Sequence, residues 1–121
     1  DKKYDLRAGY TFQSGVEAGR RLMAMQTRPT AVFCGNDEMA AGICQAIRET
    51  GLEIGKDVSV VGFDDIEDCA QVFPTLSSVR CDIAGFGRQM AETVLDWLEN
   101  DHRPPPETIT PVTLIPRASS L

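Results

Sequence analysis

Asn36 and Asp64 are the side chains in this sequence best suited to grip a small polar molecule. Each stands just after an apolar run: Gly35-Asn36-Asp37 follows Thr30–Cys34, and Phe63-Asp64-Asp65 follows Val58–Gly62. A primary amide offers donors and an acceptor, and a carboxylate takes two hydroxyl protons at once, which suits a vicinal diol. Tyr10 and Phe12 add aromatic faces on which the C–H side of a sugar packs. The same residues have plainer readings. Asn36 suits a helix N-cap, Asp64 and Asp65 suit a solvated turn, and an aromatic ring is as readily part of a core. A third reading makes Asp64, Asp65, Glu67 and Asp68 a hard-cation cluster, although no glycine-turn loop accompanies them. Neither a phosphate-cradling glycine loop nor a nucleophile elbow nor a Cys/His pairing occurs, and His102 has no acid–base partner near it in sequence.

The elements around these residues decide whether they meet. Glu38–Thr50, closed by Gly51, has helix length and an apolar face of Met39, Ile43, Ala46 and Ile47. Flanked by two apolar runs, it forms one strand–helix–strand unit, and such crossovers join parallel strands with a right-handed turn. Parallel neighbours end at one edge of their sheet, so Asn36 and Asp64 are expected close together, in the crevice where open α/β sheets bind ligands. Upstream, Gln13–Gln26 reads as a helix and Asp5–Tyr10 as the end of a third strand. Downstream, Ile66–Phe73 has room for one helical turn before Pro74, and Leu76–Cys81 is a candidate strand. Asp82 caps an amphipathic helix with Ile83, Phe86, Met90, Val94 and Leu98 on one stripe. The stiff Asn100–Glu107 connection, with three consecutive prolines, leads to a closing strand within Thr108–Pro116, which Pro111 sends to an edge or a bulge.

The 121 residues make one domain at most, and no apolar run is long enough to span a bilayer. A formal charge of −6 argues against a chain that itself holds DNA or an anionic membrane, since either needs a basic face. Cys34, Cys44, Cys69 and Cys81 lie 10, 25 and 12 positions apart with no Cys-x-x-Cys pair. That spacing favours reduced thiols, and with them a cytoplasmic setting, over a disulfide or zinc site. The charged start at Asp1, with no initiator Met or signal peptide, reads as a piece of something longer.

Taken together, Gly35-Asn36-Asp37-Glu38-Met39-Ala40-Ala41-Gly42 and Val58-Ser59-Val60-Val61-Gly62-Phe63-Asp64-Asp65 resemble the effector-binding domain of the lactose-repressor (LacI/GalR) family of bacterial transcriptional regulators. Pro29-Thr30-Ala31, the Gly51-x-x-x-Gly55-x-Asp57 spacing, Pro74-x-Leu76 and the terminal Leu114-Ile115-Pro116-Arg117-Ala118-Ser119 follow the same family pattern. The likeness runs from about Gly9 to the end. It implies a type I periplasmic-binding-protein-like α/β fold, a parallel sheet flanked by helices, of which this chain is mostly the C-terminal lobe. Residues 1–73 would belong to that lobe, 74–107 to a hinge crossing and the last helix of the N-terminal lobe, and 108–121 to a return strand. The DNA-binding headpiece would lie outside the sequence.

By position, the resemblance implies effector contacts from Tyr10, Asn36 and Asp64, with Cys81 and Ile83 able to line the cleft from the hinge. It implies a homodimer, with Gln13, Gly42, Gln45, Val72 and Phe73 on the contact surface. The implied partners are a sugar-like effector, a second copy, and operator DNA reached through the headpiece; no cofactor, metal or membrane is expected. Two other classes share features with the chain. A periplasmic sugar-binding protein has the same fold, and a metal-dependent phosphotransferase would use Asp64–Asp68. The form Val61-Gly62-Phe63-Asp64-Asp65 and the unpaired cysteines favour a cytoplasmic regulator over both.

Overall fold

The computed structural model describes residues 2–120. It forms two units: the chain up to Arg80 together with Leu114 onward, and Cys81–Thr113.

In the first unit, a short 3-10 turn (Lys2–Tyr4) precedes helix α1 (Phe12–Met23), strand β1 (Ala31–Phe33), helix α2 (Asp37–Glu49) and strand β2 (Ser59–Asp64). A second 3-10 turn (Glu67–Ala70) leads to strand β3 (Ser77–Cys81). β1 pairs with β2, and β2 with β3, both parallel, in a four-stranded sheet ordered β1-β2-β3-β4, where β4 is Val112–Ile115. The strand–helix–strand unit is therefore present, in the register Ala31 opposite Ser59 and Phe33 opposite Val61.

Thr11 starts α1 with a reciprocal cap: its hydroxyl accepts the Ser14 N–H at 3.2 Å, and Ser14 Oγ accepts the Thr11 N–H at 3.2 Å. Gly15, Val16, Ala18, Gly19 and Leu22 form its buried face. This face lies close against α2, because a Cβ on Gly42 would run into the Phe12 carbonyl oxygen. Gly42 is thus needed for close approach of the helices. A bidentate ion pair, Arg20 to Glu49 at 2.7 and 2.9 Å, ties the two helices together near their C-terminal ends. Beneath them lies the core, with Leu22, Cys34, Ile43, Ile47, Val58, Val60 and Leu76 all buried. At about 1.5–3 kcal/mol for each large side chain, this layer is the main drive for the α2–sheet sandwich.

Two expectations need correction. Asp5–Tyr10 is not a strand: residues 5–9 have no regular structure, and Tyr10 has φ of 44°, which ends any extended run. The segment is instead held by Leu6 and Ala8 against the core and by the Tyr4 hydroxyl, which donates to the Thr27 carbonyl at 2.9 Å. Pro111 lies immediately before β4, and β4 is an edge strand of the sheet, the first of the two places expected for it. Gly42 is buried in the α1–α2 contact, so it lies on no surface that a second subunit could touch directly.

In the second unit, Asp82 caps helix α3 (Ile83–Asn100), its Oδ1 accepting the Gly85 N–H at 2.9 Å. No residue of α3 is buried. Phe86, Met90 and Val94, with Pro104 and Thr108 of the proline-rich connection, line an apolar groove of about 300 Å³.

Candidate effector-binding site

Asn36 caps α2, its Oδ1 accepting the Met39 N–H at 2.9 Å. The other end of the amide is also engaged: Nδ2 donates to the Tyr10 carbonyl at 3.0 Å. One side chain therefore fixes both the start of α2 and the loop carrying the aromatic ring. Tyr10 is 68% exposed, so its ring is not part of the core. It lies over Gly35, where a Cβ would meet its Cε1. Tyr10, Gly35, Phe33, Met39 and the 5–8 segment line an open depression of about 450 Å³ beyond the end of β1.

Asp64 is the last residue of β2, opposite Arg80 in the ladder. Its φ of 102° and the 56° of Asp65 put two successive non-glycine residues in the left-handed half of backbone space. Such conformations persist only where the surroundings impose them, and they gather at binding sites. Among the described residues, the Asp64 carboxylate has no hydrogen-bond partner, while the Asp65 amide, the Asp65 carboxylate and the Ile66 amide are all engaged. Burial, and then the nearby Asp37 carboxylate, raise the Asp64 carboxyl above the usual aspartate range.

Asp65 is the counterweight. Its side chain is 3% exposed and takes Arg80 at 2.6 Å and Arg117 at 2.7 Å; Arg117 also donates to the Leu76 carbonyl at 2.7 Å. Burial pushes the Asp65 carboxyl up, but the two guanidinium groups outweigh it and hold the group below its ordinary range. Asp65 is therefore neither a solvated turn residue nor one arm of a cation cluster, and no group of three or more acidic, His or Cys side chains among the described residues is placed to hold a metal.

Beneath the turn lies Asp37, 2% exposed. Its oxygens accept the Ile66 N–H at 3.0 Å and the Ser78 hydroxyl at 2.6 Å. Ser78 Oγ in turn accepts the Asp65 N–H at 3.1 Å. Gly62 makes room for this carboxylate, since a Cβ there would collide with Asp37 Oδ1. The C-terminal segment closes the same region from below: Ser119 donates to the Val60 carbonyl at 2.6 Å and accepts the Ser77 N–H at 2.8 Å.

Tyr10 and Asn36 are thus joined directly, and Asp64 is linked to them through Asp37, the residue after Asn36. Cys81 and Ile83 belong to the second unit, Cys81 half-buried at the end of β3 and Ile83 62% exposed in the first turn of α3. Gln13, Val72 and Phe73 are exposed and Gln45 is half-buried. The pattern of single residues gave Asp37 only a place at the positive end of α2, and gave Ser78 and Arg117 no part in the site. The signal was available in Arg117 as the one basic residue in an otherwise neutral terminal motif.

Burial comes first in pushing the thiols up, to about 12 for Cys34, about 11 for Cys44 and about 12 for Cys69, which also donates to Asp37. These three are free, inert thiols of the core.

The periplasmic binding protein-like domain family matches residues 2–120. The chain belongs to that family. A probable transcriptional repressor of Bacillus subtilis (strain 168), ExuR, is 45% identical over 78 residues, covering 64% of this chain and 23% of the relative. Among solved structures, the lac repressor dimer bound to operator and the anti-inducer ONPF superposes with a TM-score of 0.87 at 32% identity, covering 94% of this chain and 40% of that one. The transcriptional regulator CelR in complex with cellobiose superposes with a TM-score of 0.91 at 28% identity, covering 99% and 37%. The resemblance to the lactose-repressor family drawn from the sequence holds, and so does the α/β fold that it implied. The chain spans about a quarter of the length of the curated relatives that it matches. ExuR is named as a probable transcriptional repressor, and no helix among the described residues is long and apolar enough to cross a membrane.

Proposed function

We propose that this chain is the effector-sensing part of a longer, cytoplasmic transcriptional repressor, with no catalytic activity of its own. The observation that carries this reading is the Asp64 carboxylate: free of hydrogen-bond partners among the described residues, on a left-handed turn at the carboxyl end of a parallel strand. A carboxylate held this way, with an exposed tyrosine ring lying over Gly35 just beyond the end of β1, suits a sugar or related polyol. Asp64 accepts its hydroxyl protons, Tyr10 packs on its C–H face, and Asn36 holds the Tyr10 loop and adds polar contact.

In the longer protein, residues 1–73 and 108–121 serve the C-terminal lobe, and Asp82–Asn100 serves the N-terminal lobe. Cys81 and Ile83 line the cleft from the hinge. Operator DNA is bound by a headpiece outside this chain, in a homodimer whose contact surface includes Gln13, Gln45, Val72 and Phe73. Effector binds one arrangement of the lobes better than the other, and this differential affinity sets how the headpieces are presented. The likeness to named repressors favours this reading over a periplasmic uptake protein.

The test is calorimetric titration of the longer protein with pentoses, hexoses, hexuronates and disaccharides. One class should bind, and Asp64→Ala should weaken it by about 10- to 100-fold, the value of a charge-assisted hydrogen bond. Equal affinity in a folded Asp64→Ala variant removes Asp64 from the site. Binding by no sugar or polyol overturns the effector class.

A further inference from the structure

Asp37 stands in the first turn of a helix, where a carboxylate is ordinary. Its surroundings are not. The cap of α2 is already made by Asn36, so Asp37 is free of that duty. Its side chain is withdrawn from solvent and, besides the Cys69 thiol that donates to it, its two oxygens serve the Ile66 amide and the hydroxyl of Ser78 on β3, both outside its own helix. Those two arms straddle the Asp64–Asp65 turn. The Ile66 amide lies just beyond it, and Ser78 passes the constraint on by accepting the Asp65 N–H.

We propose that Asp37 is the positioning residue of the effector site: its buried carboxylate, tied to the Ile66 amide and through the Ser78 hydroxyl to the Asp65 amide, holds the left-handed turn that presents Asp64. The inference rests on the reading of Asp64 given above, and adds a residue that touches no effector.

The hydrogen-bond polarity is fully determined. Ile66 N–H and Asp65 N–H can only donate. Ser78 has one proton, which goes to Asp37, so its lone pairs are left for the Asp65 amide. An amide at position 37 cannot satisfy this set. Its oxygen must face Ile66, its NH2 then faces Ser78, and the Ser78 oxygen receives two donors while its own proton loses its acceptor. Asp37→Asn thus disturbs the turn while keeping the size of the side chain. The charge acts separately. The charged group acting on Asp64 is Asp37 from α2, while Arg80 and Arg117 are engaged by Asp65 beside it. Asp37 is the charge that raises the Asp64 carboxyl after burial.

The experiment uses the intact protein without effector, so its outcome is independent of the sugar titration. Amide exchange read by mass spectrometry should be about tenfold faster or more across residues 64–66 in both Asp37→Asn and Ser78→Ala, with the α1 amides unchanged. Carbon-13 spectra of labelled aspartate carboxyls, with Asp64 assigned by its loss in Asp64→Asn, should show its titration midpoint falling in Asp37→Asn and staying raised in Ser78→Ala. Unchanged exchange at residues 64–66 in either variant, or equal acceleration in α1, overturns the positioning role. So does an Asp64 midpoint that ignores the loss of the Asp37 charge. Should Asp37→Asn fail to fold, Ser78→Ala alone decides, because it removes the relay and leaves the Asp37–Ile66 arm in place.

Discussion

The Asn36 amide donates to the Tyr10 carbonyl at 3.0 Å while its oxygen caps α2 through the Met39 N–H at 2.9 Å. Residues far apart in sequence are thereby locked in one arrangement, and the ring expected to pack on an effector is oriented by the residue expected to hydrogen-bond it. A side chain with both ends engaged in the protein has less left to give a ligand. Asn36 therefore contributes as much through the Tyr10 loop as through direct contact.

Replacing Asn36 should accordingly have two separable effects. Asn36→Ala loses the cap and the loop tether, at about 0.5–2 kcal/mol of stability, and weakens effector binding. Asn36→Asp keeps a capping oxygen but has no donor for Tyr10. It should melt close to wild type and still bind effector less well. Thermal melting and calorimetry on both variants check this. Full affinity in Asn36→Asp would show that the Tyr10 tether is irrelevant to binding.

The Asp65 pair of arginines should be unequal. Asp65 is 3% exposed, Arg117 18% and Arg80 57%. Removing a partner from a buried charge costs about 3–5 kcal/mol, whereas exposed pairs contribute about 0–1. Arg117→Met should therefore approach the larger value and Arg80→Met the smaller, in urea unfolding. Equal losses would mean that burial of the guanidinium is not what ranks them.

How much of this was legible beforehand depended on whether a residue acts within its own segment. α2, β2 and the Asp82 cap rest on local periodicity and capping chemistry, and they stand within a residue or two of the expected positions. Asn36 and Asp64 were visible because polar residues at the ends of apolar strands announce a sheet edge. Asp37, Ser78 and Arg117 were not, because their partners are 41 and 52 positions away for Asp37–Ser78 and Asp65–Arg117. Gly42 misled for the same reason: its place on α2 is local, but its burial is set by Phe12 and Val16 on another helix.

Stability should fall in acid partly through Glu49. The hydrogen bond from Arg20, followed by that from Gln45, holds its carboxyl down at about 2, against an ordinary 4.5. A depressed carboxyl binds its proton later in the folded than in the unfolded chain. Its contribution is thus complete above about pH 4.5 and is lost as the pH falls through about 2. Between about pH 6 and about pH 3, wild type should lose more of its urea midpoint than Glu49→Gln does. Arg20→Ala should behave like Glu49→Gln, since the pair acts as one unit. A wild-type curve parallel to both variants would leave Glu49 without a part in acid sensitivity.

The 121-residue chain taken alone should self-associate through α3. Ile83 is 62% exposed, Phe86 39%, Met90 53%, Val94 49% and Leu98 76%, on one stripe of a helix with no buried residue. Burying one such side chain is worth about 1.5–3 kcal/mol, so five on one face drive association with any apolar surface of matching shape. Monomers rarely tolerate a contiguous patch of this kind, and Phe86, Met90 and Val94 also line an apolar groove with Pro104. Sedimentation at low micromolar concentration should show a dimer or larger species. Met90→Glu places a charge at the middle of the stripe and should shift the population to monomer without unfolding α3, because Glu is as good a helix former as Met. Met90→Leu, equally apolar, should leave association unchanged and so separate charge from shape. Wild-type monomer at those concentrations would show that the stripe is covered within the chain itself.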